Sequence, residues 1–346
     1  MINVGMAGLG FMGWIHWLAY HKVRGAEVVA VCDSDKKKLT GDWRAIKGNF
    51  GPPGEQVDLS GLDVHSKFDR MIADPKIDLV DICLPPSQHV DAALKALRAG
   101  KHVFCEKPLA LTTADCNKLV KAAERADRQL MVGHVLPLFP EYAFAHRAVT
   151  SGKYGRLLGG SFKRVISDPL WLKEFYNPKR IGGPMLDLHV HDAHYIRLLF
   201  GMPTSLVSQG RMRGSVVEYF NTLFNFSDPK LVVSATSGVI NQQGRSFTHG
   251  FEIHLEKATL HYELAIVKDE SRQMPLTVLT DKGRATVAKI GDGDPVNAFE
   301  AEIKEVVRAI RTGEPSQLLS GDLARDAILI CHRETESVTK RRSVRV

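Results

Sequence analysis

The chain has 346 residues, 44% hydrophobic and 25% charged, with 46 Lys and Arg against 39 Asp and Glu for a formal net charge of +7. At about 150 residues per domain this length predicts about two domains, and the composition excludes disordered, collagen-like and coiled-coil classes. Lys340, Arg341, Arg342 and Arg345 lie in the terminal KRRSVRV, so the body is only mildly basic; with no RNP, zinc-finger or helix-turn-helix signature, nucleic acid is not expected as a partner.

The first 135 residues alternate short apolar runs with amphipathic helical patterns. INVGMAG, EVVAVCD, LVDICLP, KHVFCEK and QLMVGHV are apolar throughout, and HVDAALKALRAG and TADCNKLVKAAERAD lie between them. Continuous Val/Ile/Leu runs separated by helices predict parallel strands covered on both faces, a doubly wound Rossmann-type α/β domain over residues 1–133. Ligands of such sheets bind beyond the carboxyl ends of the strands.

From about residue 134 the strand-like runs come closer together: GGSFKRVIS, SLVSQGRM, EYFNTLFNF, KLVVSATSGVI, GFEIHLEK, ATLHYEL, LTVLT and ATVAKI. Several alternate polar with apolar residues, which predicts an α+β domain over 134–346 built on one open, mostly antiparallel sheet. A long helical pattern, PMLDLHVHDAHYIRLLFG, interrupts the strands, with Pro184 near its start and Gly201 just past its end. Two further helices are expected near 297–312 and 321–339.

Cys32, Cys83, Cys105, Cys116 and Cys331 are an odd number, widely spaced and without a CxxC pair, so neither a disulfide framework nor a structural zinc site is indicated. They read as reduced thiols of a cytoplasmic protein. No run reaches the apolar length of a membrane span, and the N-terminus lacks the pattern of a signal peptide.

GLGFMG sets Gly8, Gly10 and Gly13 between the first strand and a helix, with Phe11 and Met12 in the helix's opening turn. Gly8 would permit the tight turn, Gly10 the approach of a pyrophosphate, and Gly13 the close packing of helix on strand. The second strand ends in Asp33, where a carboxylate can hold the adenine-ribose hydroxyls and repel a 2′-phosphate. NAD is therefore the expected cofactor, with NADP the alternative because Lys36, Lys37 and Lys38 follow closely. The third strand ends in LPPSQH (Leu84, Pro85 and, further on, His89) and the fourth in Glu106, Lys107 and Pro108. Lys107 lies where the reactive end of the cofactor is expected and could polarise a substrate oxygen; the competing reading is a surface lysine before a loop proline.

In the helix near 184–200, Asp187, His191 and His194 fall at i, i+4 and i+7 on one face, with His189 elsewhere. Three readings stand: a histidine general base oriented by a carboxylate, a metal site, or a helix with satisfied histidines. Lys163, Trp171, Tyr176 and Arg180, polar or aromatic groups upstream of that helix, are candidates for substrate contacts, as is His194; ordinary surface or core roles compete.

Taken together, GLGFMG followed by His16, Asp33 after strand two, Pro85 to His89 at P-x-x-x-H spacing, EKP at 106–108 and GGPMLDLHVHDAH from Gly182 resemble the Gfo/Idh/MocA family of nicotinamide-dependent oxidoreductases over essentially the whole chain. The resemblance implies Lys107 as the catalytic lysine, Asp187 as the carboxylate on a substrate hydroxyl and His191 as the acid/base, with no metal. It implies hydride transfer at a secondary alcohol or ketone of a sugar, inositol or related polyol, and a homodimer or homotetramer. Similar folds also serve glycosidases that use transient oxidation and non-catalytic sugar or nucleotide sensors. Two departures stand out: His194 where many members have Asp, and Pro137 where related sequences carry an arginine.

Overall fold

The computed structural model describes residues 1–291 and 294–346. The chain divides into two compact units, one of Met1–Phe139 with Gly293–Arg325 and the other of Pro140–Asp292 with Asp326–Val346.

In the first unit β1 (Ile2–Ala7), α1 (Phe11–Tyr20), β2 (Ala26–Cys32), β3 (Asp63–His65), α2 (Phe68–Ile72), β4 (Leu79–Ile82), α3 (Pro86–Arg98), β5 (His102–Glu106), α4 (Thr113–Ala126) and β6 (Leu130–Gly133) follow in order. The strands make one sheet ordered β3-β2-β1-β4-β5-β6, parallel at every joint. Strands with helices on both sides cannot expose a face to water, hence the unbroken apolar runs; all of β4 is buried. The strand order reverses between β1 and β4, and the crevice opened there at the carboxyl ends is where such sheets take ligands.

In the second unit α5 (Pro140–Thr150), β7 (Leu157–Ser167), α6 (Val190–Phe200), β8 (Ser205–Arg213), β9 (Val216–Asn225), β10 (Val232–Ile240), β11 (Arg245–Leu255), β12 (Ala258–Val267), β13 (Glu270–Thr280), β14 (Ala285–Val287) and β15 (Val344–Arg345) build a nine-stranded sheet ordered β14-β13-β12-β11-β7-β10-β9-β8-β15. One joint, β7 with β10, is parallel; the others are antiparallel. The alternation predicted from sequence is plain in β9, where Phe220, Thr222 and Phe224 are buried and Asn221, Leu223 and Asn225 exposed.

Two elements differ from the sequence expectation. The single division at residue 133/134 does not describe the chain, because α7 (Pro295–Thr312) belongs to the first unit: its Phe299, Ile303, Val306 and Val307 join the core formed by Val4, Trp14, Ile15 and Val31. The following helix, α8 (Gly321–Lys340), starts in the first unit and belongs to the second from Asp326 on. The pattern from Pro184 to Phe200 is not one regular α-helix either: residues Met185–His189 form a π turn that runs into α6.

Candidate functional site

The turn from β1 into α1 is shaped by what a side chain would strike. Gly8 has φ +94°, and a Cβ there would lie 2.5 Å from the Cys83 carbonyl oxygen; at Gly13 it would lie 2.1 Å from the Gly8 carbonyl oxygen. Both contacts are with backbone, so hydrogen alone fits. At Gly10 no heavy atom of the described residues beyond its chain neighbours lies within 4 Å of such a Cβ, so the backbone is open to approach, and the half-buried Phe11 and Met12 begin the helix whose first N–H groups lack intrahelical acceptors. A backbone cradle at a helix N-terminus fits a dinucleotide pyrophosphate.

Asp33 fastens this turn from the end of β2. Its Oδ2 accepts the Leu9 backbone N–H at 2.7 Å and its Oδ1 that of Asp35 at 2.8 Å. Each carboxylate oxygen keeps acceptor capacity for a ribose hydroxyl. Lys38 stands 3.6 Å from Oδ2, so a cation lies beside the group that would repel a 2′-phosphate.

Beyond β4 and β5 lie the other cofactor candidates. Leu84 is half-buried and Pro85 exposed. The His89 side chain is fully buried, its Nδ1 2.8 Å from the Pro108 carbonyl oxygen and its Nε2 2.7 Å from that of Leu84, tying the two strand-end loops together. Burial holds its pKa below the ordinary histidine range, so a neutral ring donates to one carbonyl at a time. Lys107 is half-buried beside a cis peptide to Pro108, and its backbone N–H donates to Glu106 Oε2 at 3.0 Å.

Under this strand end lies a buried polar cluster that the sequence reading did not assemble. His16 Nδ1 is 2.9 Å from Asp81 Oδ2 and its Nε2 3.1 Å from Glu106 Oε1; Cys83 Sγ lies 3.4 Å from His16 Nδ1. Glu302, on α7, is wholly buried, and neither of its oxygens has a hydrogen-bond partner among the described residues. Burial, with the Glu106 charge adding to it, pushes its carboxyl well above the usual range, which favours the neutral form. The available signal was an ionisable residue inside an apolar run: His16 in FMGWIHWLAY, Asp81 in LVDICLP.

In the second unit the π turn and the start of α6 carry Asp187 and His191, both half-buried. The residues between and beside them are clamped from behind. Arg164 on β7 gives Nε to Asp192 Oδ2 at 2.6 Å and Nη2 to Oδ1 at 3.1 Å, with both side chains 5% exposed or less. His189 Nε2 lies 2.9 Å from Glu334 Oε2 on α8, both fully buried; burial pulls the His189 pKa down, but the Glu334 charge outweighs it and holds the ring above the ordinary range. Of the three residues expected on one helical face, Asp187 and His191 are both partly exposed, whereas His194 is fully buried. Arg164, Asp192 and Glu334 were not singled out from sequence, because their pairing joins residues far apart in the chain.

The remaining substrate candidates are scattered. Lys163 pairs with Glu263 across the sheet at 3.1 Å. Tyr176 donates to Asp168 Oδ1 at 2.9 Å, and the Arg213 guanidinium sits 4.2 Å from the Tyr176 ring centroid while reaching Asp168 Oδ2 at 2.6 Å. Trp171 is 72% exposed, and Arg180 is exposed on the same segment leading into the π turn.

Residues 2–134 match the model of an oxidoreductase family with an NAD-binding Rossmann fold, and residues 142–261 match the GFO/IDH/MocA C-terminal domain. The chain belongs to the Gfo/Idh/MocA family. It is an oxidoreductase of that family with an NAD-binding Rossmann domain. A myo-inositol 2-dehydrogenase of Thermotoga maritima is 24% identical over 100% of this chain and 98% of its own length. A 1,5-anhydro-D-fructose reductase of Ensifer adhaerens is 30% identical over 72% of this chain and 75% of its own. With an uncharacterized oxidoreductase of Rhizobium meliloti the identity is 34%, and the match spans 51% of this chain and 49% of that protein. Levoglucosan dehydrogenase in complex with NADH and levoglucosan has the same fold, with a TM-score of 0.80 at 22% identity over 100% of this chain and 99% of its own. Among the described residues no helix is long and apolar enough to cross a membrane.

Proposed function

We propose that this Gfo/Idh/MocA oxidoreductase is an NAD-dependent dehydrogenase acting on a secondary alcohol of a sugar, inositol or related polyol, and on the ketone in reverse. The observation that carries the reading is the pair Asp187 and His191, partly exposed on a π–α junction whose neighbours His189 and Asp192 are clamped in the core. A rigid backing behind two partly exposed polar groups is how a fold presents an acid/base to a ligand. Bound NAD+ supplies the acceptor for the hydride that leaves the carbinol carbon. His191 takes the hydroxyl proton, Lys107 donates a hydrogen bond to the same oxygen as it becomes a carbonyl, and Asp187 accepts from a substrate hydroxyl. Gly8, Gly10, Phe11, Met12, Gly13 and Asp33, with Leu84, Pro85, His89 and Glu106 at the neighbouring strand ends, hold the cofactor or the loops against it. Asp33 favours NAD over NADP.

The names of the relatives, inositol 2-dehydrogenase and 1,5-anhydro-D-fructose reductase among them, support a polyol or sugar substrate. Exposed Leu223, Val232, Met274, Leu279 and Val287 on the second unit's sheet support a homodimer or homotetramer, and the five unpaired cysteines a cytoplasmic setting. The test is NADH formation at 340 nm from NAD and from NADP with myo-inositol, glucose, 1,5-anhydroglucitol and levoglucosan, together with aryl glycosides. NADH growth with one polyol, abolished in His191→Ala while NADH binding persists, is expected. Glycoside cleavage without net NADH would replace this reading by that of a glycosidase, and full activity of His191→Ala would remove the assigned base.

A further inference from the structure

We propose that His16 is a positioning residue for the reaction, acting through Glu106 to fix the backbone that carries Lys107. The inference rests on the role given to Lys107 above and assigns a function to a buried group that takes no part in binding or proton transfer there.

His16 projects from α1 between two carboxylates on adjacent parallel strands, Asp81 of β4 and Glu106 at the very end of β5. The ring nitrogens lie 2.9 Å and 3.1 Å from these acids on opposite sides. Its plane stacks on Phe104 at 5.2 Å and 11°, and Phe299 lies 6.0 Å away. The imidazole therefore has little freedom to turn. From Glu106 the linkage passes to the next residue, since Oε2 accepts the Lys107 backbone N–H at 3.0 Å. One carboxylate thus holds the buried ring with one oxygen and the lysine's own peptide with the other.

The charge arrangement supports this geometry. Burial pulls the His16 pKa down, but the Asp81 charge and hydrogen bond more than offset it and hold the ring well above the ordinary range. As an imidazolium, His16 has an N–H for each carboxylate. Burial favours the neutral form of Glu302 on α7, which disfavours a third anion in the core. The same volume filled by an apolar side chain would avoid the desolvation cost. What the imidazole adds is a fixed orientation of Glu106, without which the carboxylate could rotate away from the Lys107 peptide. A displacement of about 1 Å at a catalytic group can cost about 100-fold in rate.

The experiment is a double-mutant cycle. His16→Leu and His16→Gln are made in the natural protein and in Lys107→Ala, and each variant is characterised by kcat and KM for the fastest-reacting polyol of the panel above, NADH affinity from nicotinamide fluorescence, and Tm. His16→Leu is expected to lower kcat about 10- to 100-fold with NADH affinity little changed. His16→Gln, which keeps an N–H toward Glu106, should recover part of the loss. In the Lys107→Ala background His16→Leu should add little, because both act through one group. Should His16→Leu not fold, Glu106→Gln takes its place in the cycle. Unchanged kcat in folded His16→Leu, or an equal further loss in Lys107→Ala, would overturn the proposal and leave His16 a core residue. Full turnover by Lys107→Ala alone would instead overturn the role of the lysine, so the two failures are distinguishable.

Discussion

Replacing Arg164 with Met strands Asp192 in the core. The carboxylate is 1% exposed and takes both its strong hydrogen bonds from the Arg164 guanidinium, at 2.6 Å and 3.1 Å. Breaking a buried ion pair from one side costs about 3–5 kcal/mol, because an unpaired charge is left without water. For a domain of this size each kcal/mol is about 2–4 °C in Tm, so Arg164→Met should lower the Tm of the second unit's transition by about 6–20 °C. Removing both charges avoids the penalty, so the double variant Arg164→Met with Asp192→Leu should recover most of the loss. Asp192 directly follows His191, so kcat of Arg164→Met should also fall at temperatures where the variant is folded. Differential scanning calorimetry of the single and double variants decides the matter. A single-variant loss under about 2 °C, the size of an ordinary surface substitution, or a double variant no better than the single one, would refute the reasoning.

Other substitutions separate further parts of the molecule. Gly13→Ala puts a methyl 2.1 Å from a backbone oxygen and should lower both Tm and NADH affinity, whereas Gly10→Ala, placed in open space, should lower affinity alone; nicotinamide fluorescence titration with thermal melts distinguishes them. Lys38→Ala should raise KM for NADP more than for NAD, since Lys38 is the cation set 3.6 Å from Asp33; an unchanged ratio of the two in steady-state assays would remove Lys38 from cofactor choice. Burial keeps the pKa values of His89 and His249 below the ordinary range, so the folded chain binds fewer protons there than the unfolded chain below about pH 6.5. Stability should therefore be lost as pH falls through that value, by up to about 1.4 kcal/mol per pH unit for each ring, and His249→Gln should reduce the slope in denaturant titrations from pH 8 to 5.

Much of the fold was legible because burial writes itself into composition. Strands covered on both faces read as unbroken Val and Ile, and strands covered on one face alternate, so the parallel and antiparallel sheets could be told apart before any coordinates. Two features lay beyond that code. The amphipathic pattern of residues 295–312 announces a helix, yet nothing in it says that Phe299 and Ile303 belong with Val4 and Trp14. The π turn at Met185–His189 is not announced by the apolar pattern, because five residues are too few for their periodicity to separate a π turn from an α-helical one.

The candidate site divides along the same line. Its cofactor side is made largely of backbone, and glycines that alone tolerate a contact under 3 Å are as conspicuous in the sequence as in the structure. Asp187 and His191 instead sit on a backbone whose buried neighbours depend on distant partners: Asp192 on Arg164 of β7, His189 on Glu334 of α8. Spacing put Asp187, His191 and His194 on one face, and burial separates them: Asp187 and His191 are partly exposed, His194 fully buried. The same logic makes the buried ionisable groups informative. His16, Asp81 and Glu302 stand where an apolar residue would satisfy packing, so each carries a desolvation cost that hydrophobic packing alone does not explain. His16 bonds the carboxylate adjoining Lys107 with one ring nitrogen and Asp81 with the other. His16 ties the glycine-bearing helix α1 to Glu106 at the end of β5, so one helix both opens at the Gly8–Gly13 turn and reaches the carboxylate that holds the Lys107 backbone N–H.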